Sequence, residues 1–597
     1  MKRLLPFIRG YEKESVLAPL FKMLEAFFDL LVPLVVAGII DKGIAAGDKA
    51  YVIRMVLLLL LLAAAGLTAS ITAQFFAAKA AVGFSTALRQ TCFDHIQSFS
   101  DAELDRFGAG TLITRLTSDV NRAQNAVNMG LRLLLRSPFI VLGSMIAAFT
   151  IDVKCALVFA VAIPVLAVVV YGLMLISIPL FKKVQNNLDR VTVLTRENLT
   201  GVRVIRAFCR EEDEIRKFDE QNETLTRVNE FVGRISALLN PVTYVLINIA
   251  TIILIRQGAL QVNLGELQQG EVVALYNYMA QMIVELVKLA SLIITINRGI
   301  ACGSRVADLL DVKPGMHYSE KGAAATKNGR GAAVKFDHVT FAYEGASSPA
   351  LTDISFEAAP GQTIGIIGGT GSGKSTLVNL IPRFYDATEG TVTVDKTDVR
   401  DYGQGELIKK VGVVPQKAQL FEGSIRDNLR WGNEEASDEE LWKAAESAQA
   451  AEVIRGKEGR LDHHLEQNGK NLSGGQRQRL TIARALAKRP DILILDDSAS
   501  ALDFATDAAL RKALRQLDFQ ATTFLVSQRA STIREADQIL VLDDGMLAGK
   551  GTHDSLMKSC PVYQEIYYSQ FPEERPSSEK RQKRSKGSAE GKEAVTV

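Results

Sequence analysis

The sequence predicts a multi-domain fold: an N-terminal all-α transmembrane domain of six helices with long cytoplasmic helical extensions, followed by a C-terminal α/β P-loop domain. Three observations predict it. The chain has 597 residues, too many for one ordinary domain. Its long apolar runs lie before about residue 300, whereas the composition after about residue 330 is that of a water-soluble α/β protein. A glycine-rich stretch at 368–376, GGTGSGKST, separates a strand-like run from a helical one.

The membrane half comes first. A spanning helix needs about 20 mostly apolar residues. Residues 16–40, 52–78, 133–151, 156–178, 235–255 and 272–296 meet that need. Short connections follow the first, third and fifth; long polar ones, 79–132 and 181–234, follow the second and fourth. The long connections hold most of the basic residues, among them Arg89, Arg106, Arg115, Arg122, Lys182, Lys183, Arg203, Arg206 and Arg210. The positive-inside rule puts those connections and both termini in the cytoplasm. Apart from FGAG at 107–110 they lack helix-breaking clusters, so they are expected to be membrane helices continuing into the cytoplasm.

Two groups of polar side chains fall inside the spans at helical spacing: Lys22, Glu25 and Asp29, and Gln281, Glu285 and Lys288. An intramembrane charge needs partners or water. Two readings follow: these residues line a pathway, or Lys22 pairs with Glu25 and Glu285 with Lys288.

Other features exclude functions. A formal net charge of +2 argues against a nucleic-acid binder. Cys92, Cys155, Cys209, Cys302 and Cys560 stand alone, without CxxC spacing, so neither a disulfide framework nor a zinc site is expected. The opening MKRLLPFIRGYEKES has no apolar run directly after its charges, and no cleavable signal is expected.

In the second half, QTIGIIG runs into GGTGSGKST and then LVNLI, which is G-x-x-x-x-G-K-[ST] in its strand–loop–helix setting. Gly368, Gly369, Gly371 and Gly373, with Thr370 and Ser372, let the backbone close round phosphate, so that N–H groups and the helix N-terminus face the anion. Lys374 is expected to reach the β and γ phosphates, and Ser375 and Thr376 follow it into the helix, Ser375 offering its hydroxyl to Mg²⁺. Asp496 ends the apolar run DILIL, where a carboxylate can complete the magnesium shell. Between these motifs lies NLSGGQRQRLTIARAL, in which Ser473, Gly474, Gly475 and Gln476 precede or open a well-formed helix and offer further donors to a phosphate.

With these residues in view, the chain resembles the ATP-binding cassette family over nearly its whole length, to about Phe571. LSGGQ is that family's signature. Gln416 in VVPQ resembles its Q-loop, a further magnesium ligand; Ser500 to Asp503, SALD, resembles its D-loop. Tyr343 stands where the family stacks an aromatic ring on adenine, and Glu466 resembles the X-loop acid of exporters. The phrase ENLTGVRVIRAFCREEDEIRKF resembles the second cytoplasmic loop of exporter half-transporters, with residues 110–119 as the first coupling stretch. The resemblance implies a transmembrane domain at 1–310 and an ATP-binding cassette at 333–571; the small-residue and polar stretch between them makes 311–332 a linker, and the tail at 572–597, outside the resemblance, charged and poor in large apolar residues, is expected to be disordered. It implies ATP and Mg²⁺ as ligands and a plasma (inner) membrane location. It also implies head-to-tail dimerisation, each nucleotide lying between one chain's phosphate loop and the other's signature.

Two residues depart from the family pattern. The position after the magnesium aspartate is usually glutamate and is here Asp497, one methylene shorter. The next strand usually ends in a histidine; TTFLVSQRAST puts Gln528 there. A neutral amide cannot carry the charge of an imidazolium or move its proton. Together they point to a degenerate ATP site beside an intact signature, the pattern of one half of a heterodimeric exporter of a small amphipathic molecule, lipid or peptide. The alternatives are a homodimer that hydrolyses slowly and an ATP-gated channel or regulatory membrane protein.

Overall fold

The structure, a computed structural model, describes residues 2–319 and 333–575. Most of the expected linker and tail therefore lies outside the described residues. The chain divides into two compact units: Met1–Gln97 with Ala109–Lys313, and Ser98–Gly108 with Pro314–Val597.

The first unit is helical throughout its described residues. Its chain order is α1 (Glu12–Gly38), α2 (Lys49–Gln97), then α3 (Asp101–Phe107), which belongs to the second unit, then α4 (Ala109–Thr114), α5 (Val120–Leu133), α6 (Arg136–Ile151), α7 (Val153–Thr200), α8 (Val202–Ala207), α9 (Glu211–Ala237), α10 (Leu239–Asn263) and α11 (Gln269–Leu310). At 49, 48 and 42 residues, α2, α7 and α11 are about 60–75 Å long at 1.5 Å per residue. That is about twice a bilayer's hydrocarbon thickness. Among the described residues five helical stretches are long and apolar enough to cross a membrane: Glu12–Ile44, Lys49–Gln97, Ala109–Ile151, Glu211–Asn263 and Gln269–Leu310. The fourth expected span falls in α7, where the described apolar run, Val153–Val169, is shorter than the rest.

The unit's interior is built from small and flexible side chains, with Ala148, Ala156, Phe159, Leu254, Leu275, Met279 and Met282 buried together. Tyr278 is fully buried and donates its hydroxyl to the Leu30 carbonyl at 2.6 Å, which satisfies its one polar atom. Both expected ion pairs are present, Lys22–Glu25 at 2.5 Å and Lys288–Glu285 at 2.9 Å. They are joined by a residue that the spacing could not supply. Arg136, at the start of α6, reaches Glu285 at 2.5 Å, Asp29 at 3.0 Å and Glu25 at 3.7 Å. Three acids and three bases thus balance across α1, α6 and α11, as burial requires.

The second unit opens with β1 (Val334–Phe341), β2 (Leu351–Ala358) and β3 (Thr363–Gly368), followed by β4 (Glu389–Val394), β5 (Thr397–Asp398) and β6 (Val411–Val414). It continues with the short pair β7 (Gly423–Ser424) and β8 (His464–Leu465), then β9 (Ile492–Asp496), β10 (Thr522–Val526), β11 (Gln538–Asp543) and β12 (Met546–Gly551). One sheet has the order β2-β1-β4-β5, and its strands pair antiparallel. The other has the order β12-β11-β3-β10-β9-β6, parallel except for β12. Phe336, Phe356, Ile366, Leu377, Ile494 and Phe524 form the apolar layer shared by both sheets. The inner strands β3 and β9 are apolar and buried along almost their whole length, as a sheet covered on both faces demands.

One expectation is corrected here. Residues 110–119 stay with the first unit; the segment that joins the second is Ser98–Gly108, carrying α3. Ser100 and Glu103 close a capping box at its start, and Gly108 at φ 70° ends it. The FGAG break is therefore the exit from α3.

Candidate nucleotide site

In an open parallel sheet the carboxyl ends of adjacent strands form the natural crevice for a ligand. Here four neighbouring strands, β3, β10, β9 and β6, end at one edge and deliver the expected residues in turn. β3 ends at Gly368 and enters the loop; β10 leads to Gln528, β9 to Asp496 and Asp497, and β6 to Gln416. The backbone N–H of Asp497 donates to the Val526 carbonyl at 3.0 Å, which sets the acidic pair beside the end of β10.

The loop geometry demands glycine at two positions. Gly371 and Gly373 have φ of 83° and 90°, where other residues are strained. A Cβ on Gly373 would also lie 2.7 Å from Leu351 Cδ2, whereas Cβ atoms on Gly369 and Gly371 would meet nothing within 4 Å. The cradle is thus tight on its protein side and open on the other. Lys374 is buried and donates its ammonium to the carbonyls of Gly368 at 3.1 Å and Gly369 at 2.5 Å. Ser372 Oγ lies 3.4 Å from the same nitrogen.

The donor set suits a hard cation and a phosphate chain. Ser375 donates its hydroxyl to Asp496 at 3.0 Å, so hydroxyl and carboxylate already face one another. Burial pushes the Asp496 carboxyl above the usual range; the bond from Ser375 opposes this, and the neighbouring Asp497 adds to it. Burial likewise raises Asp497, against the hydrogen bond from Gln416, and lowers Lys374, against both aspartates. Two carboxylates with elevated pKa values beside a hydroxyl are a site that gains from a divalent cation. Gln416 turns its amide nitrogen toward Asp497 Oδ2 at 3.5 Å, leaving the amide oxygen for a metal.

The remaining expected residues fall in two groups. Tyr343 sits beside the loop: its hydroxyl is 3.0 Å from Thr376 Oγ1, and its ring meets Phe341 and Tyr385 edge-on at 4.8 and 5.4 Å. Ser473 caps the helix Gly474–Ala487 and is exposed. Its hydroxyl accepts from the Gln476 N–H, and Gln476 returns its amide oxygen to the Ser473 N–H at 3.0 Å. Gln476 therefore serves the cap and not an outward contact. Asp503 caps the next helix by accepting from Thr506 N at 2.9 Å, and Glu466 is exposed.

Residues that the motifs did not single out complete the surroundings. Tyr385 donates to Asp105 of α3 at 2.6 Å, Arg106 lies 3.4 Å from Glu344, and Glu103 accepts from the Gly315 N–H at 3.1 Å. A cavity of about 630 Å³ lies among Glu103, Arg106, Phe341, Tyr343 and Tyr385. Among the described residues no cluster of His, Cys, Asp and Glu forms a separate metal site.

Comparison with known proteins agrees with this arrangement. Residues 15–286 match the family model for the ABC transporter transmembrane region, and residues 351–500 that for the ABC transporter. An uncharacterized ABC transporter ATP-binding protein of Mycobacterium tuberculosis is 37% identical over 94% of this chain and 97% of its own length. An ATP-dependent lipid A-core flippase of Desulfotalea psychrophila is 33% identical over 80% of this chain and 83% of its own. A bacterial Atm1-family ABC exporter, solved with ATP bound, shares the fold with a TM-score of 0.77 at 23% identity, covering 95% of this chain and 99% of that one.

Proposed function

From the premise that this chain belongs to the ABC transporter family, as an ATP-hydrolysing exporter subunit that dimerises in a lipid bilayer, we propose that it is one half of a heterodimer whose own ATP site is degenerate. It binds ATP with Mg²⁺ in its own phosphate loop and cleaves it slowly. Its signature completes a faster site on a different half-transporter. The pair exports a small amphipathic molecule, lipid or peptide across the plasma membrane, with both termini in the cytoplasm.

One observation supports the asymmetry: Asp497 and Gln528 follow the ends of adjacent strands at the same edge as the phosphate loop, which favours reading both substitutions as parts of one site. Lys374 exchanges its loop carbonyls for phosphate oxygens when nucleotide enters. Ser375, Asp496 and Gln416 would hold a Mg²⁺ ion, whose chemistry there would be to neutralise charge on the phosphate chain. Asp497 is left to orient the attacking water with an arm one methylene short, and misplacement of that order lowers rates by about 100-fold. Gln528 can donate a hydrogen bond but carries no charge. Ser473 and Gly474 are exposed, as a signature facing a second chain requires. The tip of α8 supports the same assembly, since Val204 and Phe208 are 61% and 74% exposed there.

The test is turnover. The chain purified alone should hydrolyse ATP slowly, and adding its partner should raise the rate by at least 10-fold. Vigorous hydrolysis by this chain unaided would instead identify a homodimer, the default symmetry for such assemblies.

A further inference from the structure

The segment around Gln528 is tied at several points to the elements beside it. Ser527 donates its N–H to the Ile366 carbonyl of β3 at 3.1 Å, and Arg529 donates its N–H to Ser527 Oγ at 3.0 Å. Two further groups, the Gln528 carbonyl and the Ala530 N–H, go to one side chain far along the sequence. Gln570 Nε2 donates to the Gln528 carbonyl at 2.7 Å, and Gln570 Oε1 accepts from the Ala530 N–H at 2.8 Å. A primary amide can donate at one end and accept at the other.

There is a local reason for the second bond. Ala530 opens the helix Ala530–Ile533, whose N-cap residue, Arg529, makes no side-chain cap. The first N–H groups of any helix lack partners within it and need an outside acceptor. Gln570 is well placed to serve, because it ends the helix Pro561–Gln570, which is anchored by Tyr563 and Tyr567, both buried against Ile533 and Val541. Arg529 lies over the Phe504 ring at 4.9 Å and reaches the Leu502 carbonyl at 3.5 Å, so the clamped segment also touches the SALD turn.

We propose that Gln570 is a positioning residue for ATP hydrolysis: its carboxamide spans residues 528 to 530 and fixes the direction in which the side chain at 528 faces the nucleotide. The inference rests on the reading of residue 528 as a group on the γ-phosphate side. Gln570 touches no substrate itself. It acts by denying the loop the small rotations that would swing residue 528 away, and shifts of about 1 Å suffice to cost a reacting group most of its effect.

The experiment is a two-by-two comparison in the full-length chain assembled in lipid nanodiscs with its partner half-transporter, whose own phosphate-loop lysine is replaced so that this chain's site is read, with kcat and KM for ATP measured for the native protein, Gln570→Met, Gln528→Ala and the double variant. Methionine keeps the length of Gln570 and removes both hydrogen bonds. The expected result is a three- to tenfold fall in kcat for each single variant, KM within twofold of native, and a double variant no slower than Gln528→Ala alone. Gln570→Glu, which keeps the acceptor for Ala530 and loses the donor, should fall between native and Gln570→Met, and it serves where the methionine variant fails to fold. Equal losses from Gln570→Met in both backgrounds would mean a merely structural role and would overturn the proposal, as would native kcat in Gln570→Met. Native kcat in Gln528→Ala would overturn the reading of residue 528 and, with it, the clamp. A damaging Gln528→Ala beside a harmless Gln570→Met would overturn the clamp alone.

Discussion

Asp497 is the residue on which the assignment of a slow site turns, and its backbone adds a constraint to its length. Its φ of 44° lies in the left-handed region, which aspartate tolerates better than most side chains because it can bond locally. Changing Asp497 to glutamate should therefore lengthen the arm at a cost to stability of about 1 kcal/mol or less. Combined with Gln528→His, it restores a carboxylate with the reach to position water and an imidazole beside it. Positioned acid–base groups contribute roughly 100- to 10,000-fold to proton-transfer steps. Steady-state hydrolysis by the double variant, assembled with its partner, should rise by on the order of 10-fold or change its dependence on transported substrate. Unaltered kinetics would remove both residues from the catalytic account.

At the scale of elements, the short helix α3 and the C-terminal helices each give a prediction. Tyr385 bonds Asp105 of α3 and meets Tyr343, whose hydroxyl lies against Thr376 of the phosphate loop, so three contacts connect the loop to α3. A hydrogen bond to a charged group contributes about 1.5–3 kcal/mol. Tyr385→Phe should keep basal hydrolysis within about twofold and weaken its stimulation by transported substrate; unchanged stimulation in proteoliposomes would sink the connection. The C-terminal helix depends on His553, whose ring packs against Tyr563 and Tyr567 and bonds the Tyr563 hydroxyl at 2.9 Å. Burial first, then Arg534, lowers its pKa from 6.5, while Asp554 and Glu574 oppose the shift. The unfolded chain then binds the proton more tightly, so this contribution to stability is full above about pH 6.5 and is lost as pH falls towards the lowered value. The melting temperature should drop between pH 7.5 and 5.5, and His553→Phe should drop less over the same interval.

These elements also mark what the sequence could convey. The phosphate loop, Asp496 and the signature were legible because each is a contiguous run whose residue types follow from phosphate chemistry. The ion pairs Lys22–Glu25 and Glu285–Lys288 were legible because helical spacing alone brings them together. Arg136 and Gln570 were not, since their partners lie more than 100 and about 40 residues away and only packing selects them. The position of α3 has its own local signal. Ser100 followed three residues later by Glu103 is a capping-box start, a stronger local signal than the glycines at 108 and 110.

For the whole molecule, the proposed division of labour between two unlike sites can be probed by substitutions in this chain, because its two proposed contributions to hydrolysis are separate groups. In the proposed assembly the phosphate loop would serve its own nucleotide and the signature the partner's. Gly474 is the cleaner handle on the second, since a Cβ there would meet nothing within 4 Å, whereas one on Gly475 would come within 3.1 Å of the Ala501 carbonyl. Gly474→Asp therefore adds a negative charge facing a phosphate without disturbing the SALD turn. It should cut hydrolysis by the assembled pair more than 10-fold and leave nucleotide binding in this chain's own loop intact. Lys374→Met should do the reverse, abolishing that retention while maximal hydrolysis by the pair stays within a few-fold. Measuring both quantities in both variants decides the matter, because two equivalent sites would make the two substitutions equally damaging to turnover.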